Sequence, residues 1–474
     1  MGIRVGIDLG TTYTKVAFVD EIGKACAIPN IEGTHITPSV VFFDSDDTVV
    51  VGEIAKETAF IEPDRTVSGV KKYIGKTGFD FSYGNRNWAP EEISALIIKK
   101  VINDAENILN ENITEVVVTV PAYFGIVEST AMKNACELAG LNVINVLTET
   151  TAIALSYGLE CDIQEKTILI YDLGGATFET AVARVNGGKT DIICIDGEGE
   201  LGGNNWDEAI MQNLISEFCS ETGFDGELDE YAYREFRLKA EKAKKQLSSR
   251  VNVPVMLDVD GTRTRIVLSR TTFEEITNNL LNKTIEKTDS VIAFAASKGH
   301  KIDEILLVGG STRMPQIREI LCNRYGIEPK MYDPELVIAK GAAIYAMKDN
   351  SIDVHPVCTK SYGIKILKDG KELCHNFIVK NTQFSGQYLS VSSGALGVSD
   401  SEIGVINLAI YESDSIEDCF PVDDNLIMGT LKFRVPHKAF KVKFSLSLDG
   451  VLEVSCVDEE TGAELTSVRF GVNM

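Results

Sequence analysis

The sequence predicts an α/β domain over residues 1–350 followed by a separate all-β unit over residues 351–474. Three observations carry that expectation. First, the chain repeats a motif: Val5-Gly6-Ile7-Asp8-Leu9-Gly10-Thr11-Thr12 near its start and Ile168-Leu169-Ile170-Tyr171-Asp172-Leu173-Gly174-Gly175-Ala176-Thr177 further on, each followed by an apolar run, to Val19 and Val185. Second, short apolar runs alternate with amphipathic stretches up to about residue 350, as in an α/β domain. Third, the helical pattern stops there and period-2 alternation takes over, most clearly at Val442, Phe444, Leu446 and Leu448 with Lys441, Lys443, Ser445 and Ser447 between them.

Each copy of the repeat reads as a buried strand ending in Asp-Leu-Gly, a Gly/Thr turn and a second strand leading away. Glycine lets backbone N–H groups approach an anion, and threonine adds hydroxyl donors. An aspartate at the strand end suits a magnesium ion, directly or through its waters. Two such hairpins facing each other make a two-sided clamp for the phosphates of a nucleotide.

The elements between follow in order. Glu91 to Asn110 carries Ile93, Leu96, Ile97, Val101, Ile102 and Ala105 at helical spacing. Val116 to Val120 is a buried strand stopped by Pro121, and Val143 to Leu147 is another. Thr148 is placed to cap a helix from Glu149. Tyr231 to Leu247 is a charged helix, and Glu304 to Val308 is a strand running into Gly309-Gly310-Ser311 and a further helix. The character changes near Lys348-Asp349-Asn350-Ser351. In the tail, Asp449-Gly450 turns the alternating strand into Leu452, Val454 and Cys456, Thr461-Gly462 marks another turn, and the last strand spans about Ser467 to Val472. These strands predict a β-sandwich.

Composition bounds the function. At 474 residues the chain holds about two to four structural units. A hydrophobic content of 44% with 24% charged residues is a globular balance. The net charge of −24 argues against nucleic acid or an anionic membrane as the main partner. Ten cysteines, with no Cys-x-x-Cys and no histidine at metal spacing, read as small buried residues in a reducing compartment. The N-terminus enters a strand directly, without a signal peptide, and no apolar run reaches about 18 residues. The expected location is the cytoplasm.

Together the motifs resemble the seventy-kilodalton heat-shock chaperone family, of which bacterial DnaK is a member. The resemblance rests on Gly6 to Tyr13, Val118-Thr119-Val120-Pro121-Ala122-Tyr123-Phe124, Tyr171 to Gly175, Leu201-Gly202-Gly203, Val308 to Pro315 and Lys340-Gly341-Ala342-Ala343, in family order over residues 1–350. The tail resembles the family's peptide-binding β-sandwich through Val442 to Thr461. The resemblance implies an actin-like, ribonuclease H-like duplicated, two-lobed ATPase domain. It also implies ATP/ADP and magnesium as ligands, unfolded or extended polypeptide as client, a J-domain co-chaperone and a nucleotide-exchange factor as partners, and a role in protein folding under stress.

It further implies roles for residues. Asp8 and Asp172 hold magnesium; Gly10, Thr11, Thr12 and Tyr13 hold the phosphates from one side, and Gly174, Gly175, Ala176 and Thr177 from the other. Lys71 matches the lysine that stabilises charge on the transferred phosphoryl, against the bland alternative of a solvated lysine beside Lys72. Glu149, with Asp172 and Thr177, matches the groups that position the attacking water; its bland alternative is a first-turn carboxylate favoured by the helix dipole. Glu241, Lys244 and Ser248, on one helix face, hold the adenosine with Gly202 and Gly203 nearby, while Gly310, Ser311 and Arg313 enclose it from the opposite side. Leu373, Cys374 and Val405 stand near the family's peptide pocket, with core packing as the competing reading.

The chain also departs from the family. Thr150 follows Glu149 where a proline is usual, Ala176 replaces a glycine, and Glu179 replaces an aspartate, which points to slower hydrolysis. Gly125 to Thr130 lacks the relay arginine, and only Ile352 and Val354 stand for the leucine-rich linker, which points to weaker coupling. No helical lid follows the tail up to Met474, so peptide release is expected to be fast. These departures keep open a nucleotide-gated adaptor for one dedicated client, with slow or vestigial ATPase. A small-molecule kinase and a filament-forming actin relative fit less well, because the β tail would have no role in either.

Overall fold

The computed structural model describes residues 3–45, 48–160, 164–347, 352–384, 386–397, 405–435 and 439–471. The boundary expected at Lys348 to Ser351 and the chain end at Met474 lie outside the described residues.

The repeated motif is the start of a repeated sheet. The first sheet runs, edge to edge, Asn142–Thr148, Ile113–Val120, Ile3–Leu9, Tyr13–Val19 and Ala25–Ile28. The second runs Lys330–Met331, Glu304–Val308, Lys166–Leu173, Phe178–Asn186 and Lys189–Glu198. In both, three consecutive strands form an antiparallel meander, the next strand joins the first in parallel, and the last joins that one in parallel. Parallel joins need crossovers, and helices Pro90–Leu109, Ile126–Leu138 and Pro315–Tyr325 lie in them. The strand ending in Asp-Leu-Gly is central in each sheet. It is covered on both faces, which explains its unbroken apolar run.

Local signals set the helices. Pro90 opens one at its first turn, Glu92 accepts from the Ala89 N–H at 2.9 Å, and Asn110 closes it in the left-handed region. Thr148 caps Glu149–Glu160 as expected, its Oγ1 accepting from Thr151 N at 3.3 Å. That helix leaves the edge of the first sheet and packs on the second, while Val337–Ala346 leaves the second and packs on the first. The two helices meet at Gly341, where a side chain would collide with the Ala152 carbonyl. This exchange ties the two sheets together.

Beyond residue 352 the described residues form strands and one short 3-10 turn. One sheet runs Cys419–Pro421, Lys371–Ile378, Ser361–Lys368, Ile406–Ser413 and Ile427–Phe433; the other holds Tyr388–Ser392, Ala439–Ser447, Leu452–Asp458 and Glu464–Phe470, with Leu396–Gly397 paired to the second of these. They share one apolar core, with Ile364, Ile410 and Phe433 facing Val442, Phe444 and Val454. The last strand ends at Phe470, slightly earlier than expected.

The two parts touch. Ile126 is buried in the β-unit core, and its N–H donates to Glu412 Oε2 at 3.2 Å. Lys380, nearly fully buried, bridges Asp196 at 3.1 Å and Asp414 at 3.2 Å. The short linker forms strand Asp353–His355, which pairs in parallel with Lys189–Asp191, while Val354 packs among Ala25, Leu155 and Ile344. A linker lacking the leucine-rich segment thus still has a seat on the second sheet.

Two sequence expectations need correction. Of the nine described cysteines, all free, Cys26, Cys219, Cys322 and Cys419 are only half-buried. Leu373 and Cys374 are consecutive in a strand and face opposite ways. Cys374 is buried against Phe420 while Val405 is exposed, so the three do not line one pocket. Among the described residues, no helix is long and apolar enough to cross a membrane.

Candidate active site

Both central strands deliver their Asp-Leu-Gly turns to one cleft of about 480 Å³ between the two sheets. The turns close in the same way: Gly10 N donates to Tyr13 O at 3.1 Å, and Gly174 N to Thr177 O at 3.0 Å. They face each other so closely that a side chain on Gly175 would overlap Thr12 Oγ1. Ala176 has no positive φ, so its methyl carries no backbone strain, contrary to the concern raised by the missing glycine.

The cleft floor is charged. Asp8, Lys71, Glu149 and Asp172 line it and are all buried, Lys71 at 4% exposure and Glu149 at 7%. Lys71 Nζ donates to Glu149 Oε1 at 2.6 Å. Burial opposes the charge on Lys71, yet Glu149 and Asp8 hold its pKa above the usual lysine value. Lys71 enters on a short 3-10 turn, Val70–Tyr73, and the apolar Val70 and Ile74 anchor it in the first core.

Asp172 is pushed up to about 8 by burial, then by Glu149 and Asp8, with Lys15 and Lys71 pulling the other way. Glu179, fully buried behind it, is raised well above the carboxylate range by burial, Glu149 and Asp172. Its Oε1 accepts from Ala122 N at 2.8 Å, but Oε2 has no partner. Three carboxyl groups, Asp8, Glu149 and Asp172, therefore line the cleft with the ammonium groups of Lys15 and Lys71, and a fourth, Glu179, is buried behind them. That excess of negative charge on hard oxygen donors fits a divalent cation such as magnesium. Among the described residues no three His, Cys, Asp or Glu side chains converge as a cage.

Towards the mouth, Glu241, Lys244 and Ser248 come from the end of helix Glu230–Leu247 and its cap. Gly310, Ser311 and Arg313 stand opposite, on the turn after strand Glu304–Val308. Lys244 is not free: it donates to Gly203 O and Asp207 Oδ2, both at 2.8 Å. Glu241 pairs with Lys245 at 2.6 Å and Arg313 with Glu335 at 3.0 Å.

Gly202 and Gly203 lie behind the second turn rather than on the cleft wall. Gly203 N donates to Gly174 O at 3.0 Å, and a side chain on Gly202 would collide with the Ala176 backbone. Ser311 Oγ donates to the same Gly174 carbonyl at 2.9 Å. All the other residues expected at the nucleotide site line the cleft.

Sequence reasoning missed Lys15, Asp207, Met314, Pro334, Glu335 and Ile338, which also line it. For Lys15 a signal existed. Once the turn is placed at Gly10 to Tyr13, hairpin register pairs Asp8 with Lys15 and, in the second copy, Asp172 with Glu179.

A family model described as Hsp70 protein matches residues 4–469, nearly the whole chain. With a duplicated sheet, two facing Gly-turn hairpins and a buried acidic floor already in place, that match settles the lineage: the chain belongs to the Hsp70 family.

Proposed function

We propose that this chain is an ATP-hydrolysing chaperone in which the cleft between the sheets binds ATP and the β unit binds extended polypeptide. Family membership carries ATPase and chaperone activity in general terms, with magnesium, unfolded clients and co-chaperones. The finer reading is ours: an actin-like, ribonuclease H-like duplicated domain over about 1–350, a peptide-binding β-sandwich over 351–474, and nucleotide state controlling peptide affinity. The observation that carries it is the buried Lys71–Glu149 pair set between two facing phosphate-type turns.

In this reading Gly10 to Tyr13 and Gly174 to Thr177 hold the β- and γ-phosphates through backbone N–H groups and threonine hydroxyls. Lys71, kept protonated by its carboxylate neighbours, offsets charge on the transferred phosphoryl. Glu149 is held in place by Lys71, and with Asp172 and Thr177 it orients the attacking water. Such hydrolysis depends on positioning and electrostatics more than on covalent chemistry. Asp8 and Asp172 would hold magnesium, which supplies charge neutralisation at the phosphate oxygens. Glu241, Lys244, Ser248, Gly310, Ser311 and Arg313 frame the adenosine, with Lys244 acting as a strut for Gly203 and Asp207. The seated linker strand, Glu412 on Ile126, and Lys380 between Asp196 and Asp414 are the contacts through which nucleotide state reaches the β unit.

Single-turnover ATP hydrolysis, with and without an unfolded protein and a panel of apolar peptides, tests the reading. Broad stimulation is expected; Glu149→Ala and Thr177→Ala are expected to abolish turnover and leave ATP binding nearly intact. Absence of ATP binding, or turnover indifferent to every polypeptide, overturns it.

A further inference from the structure

The two hairpins are alike in turn and register but opposite in charge at one position. Seven residues after each strand-end aspartate, and directly across the ladder from it, the first carries Lys15 and the second Glu179. Cross-strand partners share a face, and like charges placed opposite each other are unfavourable. The first hairpin therefore offers the cleft a carboxylate with its own cation. The second offers Asp172, with another carboxyl group, Glu179, buried across the ladder from it in place of a cation.

Lys15 Nζ donates to Asp8 Oδ2 at 2.8 Å, and its side chain keeps 15% exposure into the cleft. An ammonium group has three donors; among the described residues Asp8 is the one acceptor Lys15 meets. The group also stands at the first phosphate-type turn. Its Nζ is 3.4 Å from the point where a Cβ on Gly10 would lie. A half-buried ammonium with donors to spare, beside a turn shaped for an anion, is placed to take a further oxygen ligand.

We infer that Lys15 contacts a phosphate of the bound nucleotide, acting as a permanent cation of the first hairpin and letting the diphosphate be held in part without a divalent ion. This rests on the cleft being the nucleotide site, and it adds to that reading a residue and a consequence for metal dependence. Asp8 then has a resident counter-charge within its own hairpin, while Asp172, whose ladder partner is Glu179, has none within its own. The bland alternative is that Lys15 only neutralises Asp8.

Equilibrium binding of adenosine, ADP and ATP to the full chain, by calorimetry in magnesium and in excess EDTA, separates the two. In EDTA the wild type is expected to bind ADP more tightly than adenosine. Lys15→Met should lose on the order of tenfold to a hundredfold in magnesium-free ADP affinity, the range of one charge-assisted hydrogen bond. It should keep adenosine binding, and it should lose less when magnesium is present. Lys15→Arg should retain magnesium-free ADP binding. Should Lys15→Met fail to fold with Asp8 left beside it, Lys15→Gln keeps the hydrogen bond to Asp8, removes the charge, and carries the same expectation.

The inference is overturned if the charge-removing variant binds ADP in EDTA as tightly as wild type, or if it loses adenosine and ADP equally. If wild type binds none of the three even with magnesium, the nucleotide reading itself falls, and this inference with it. If wild type binds all three but prefers adenosine in EDTA, only this inference falls.

Discussion

Replacing Lys71 with methionine is expected to damage the fold as well as the chemistry, by an amount the structure lets one bound. Lys71 is 4% exposed, and its ammonium sits 2.6 Å from a Glu149 side chain that is itself 9% exposed. Removing one member of such a pair leaves an uncompensated buried charge, which costs about 3–5 kcal/mol. The neighbouring Asp8, which also acts on Lys71 electrostatically, adds to the repulsion left behind. Lys71→Met/Glu149→Gln removes both charges together and is expected to recover at least half of the loss.

The exposed pair Arg86–Glu92, with side chains 50% and 36% accessible, is the internal control; Arg86→Met should cost about 0–1 kcal/mol. The assay is native-state hydrogen exchange in rising urea, read on strands Ile3–Leu9 and Ile113–Val120, because a chain of several units does not unfold as one two-state body. A Lys71→Met loss no larger than that of the control, or a double variant no better than the single one, would refute the reasoning. The consequence for enzymology is direct: turnover of Lys71 variants must be normalised to folded protein.

Three further outcomes are expected. Burial would raise the Glu304 carboxyl, but hydrogen bonds from Lys166, Tyr157 and Lys330 overcome it and hold the group at about 2. A carboxylate with a depressed folded pKa adds stability above its unfolded value of about 4.5, and that stability is lost as pH falls from there to about 2. Glu304→Gln should therefore flatten the acid limb of a stability–pH profile, and an unchanged slope over that window contradicts this.

Gly175→Ala should force the facing hairpins apart at Thr12, costing about 1–3 kcal/mol in ADP binding, with part recovered by adding Thr12→Ala; calorimetry showing undiminished affinity rules it out. Glu412→Ala should expose the Ile126 amide and speed its hydrogen exchange, and Gly125→Ala, whose methyl would collide with Glu412, should do the same. Protection of that amide in both variants equal to wild type would mean the cross-unit contact is not formed in solution.

Local patterns were read correctly where the cause is local. The Asp-Leu-Gly hairpins, the helix beginning at Glu149 behind its Thr148 cap, and the alternating strands Ala439–Ser447 and Leu452–Asp458 all follow from turn chemistry, capping and periodicity within a few residues. Which face meets which partner is not a local property. Leu373, Cys374 and Val405 stand near one pocket by sequence position, yet strand geometry sends the first two to opposite faces. The half-buried cysteines could not be told from the buried ones, because burial belongs to the packed molecule and not to residue type.

What the sequence determined by itself is the duplicated strand–turn–strand unit with its two Gly/Thr turns, because turn conformation and strand period are encoded over a handful of positions. Tertiary structure alone decided that Lys71 meets Glu149 across 78 residues of chain, and that Glu412 from the β unit reaches the first turn of helix Ile126–Leu138. It likewise decided that the short linker finds a seat beside Lys189–Asp191. Those contacts depend on how separate elements pack, and the charge balance of the cleft exists only once four distant carboxylates and two lysines share one low-dielectric space.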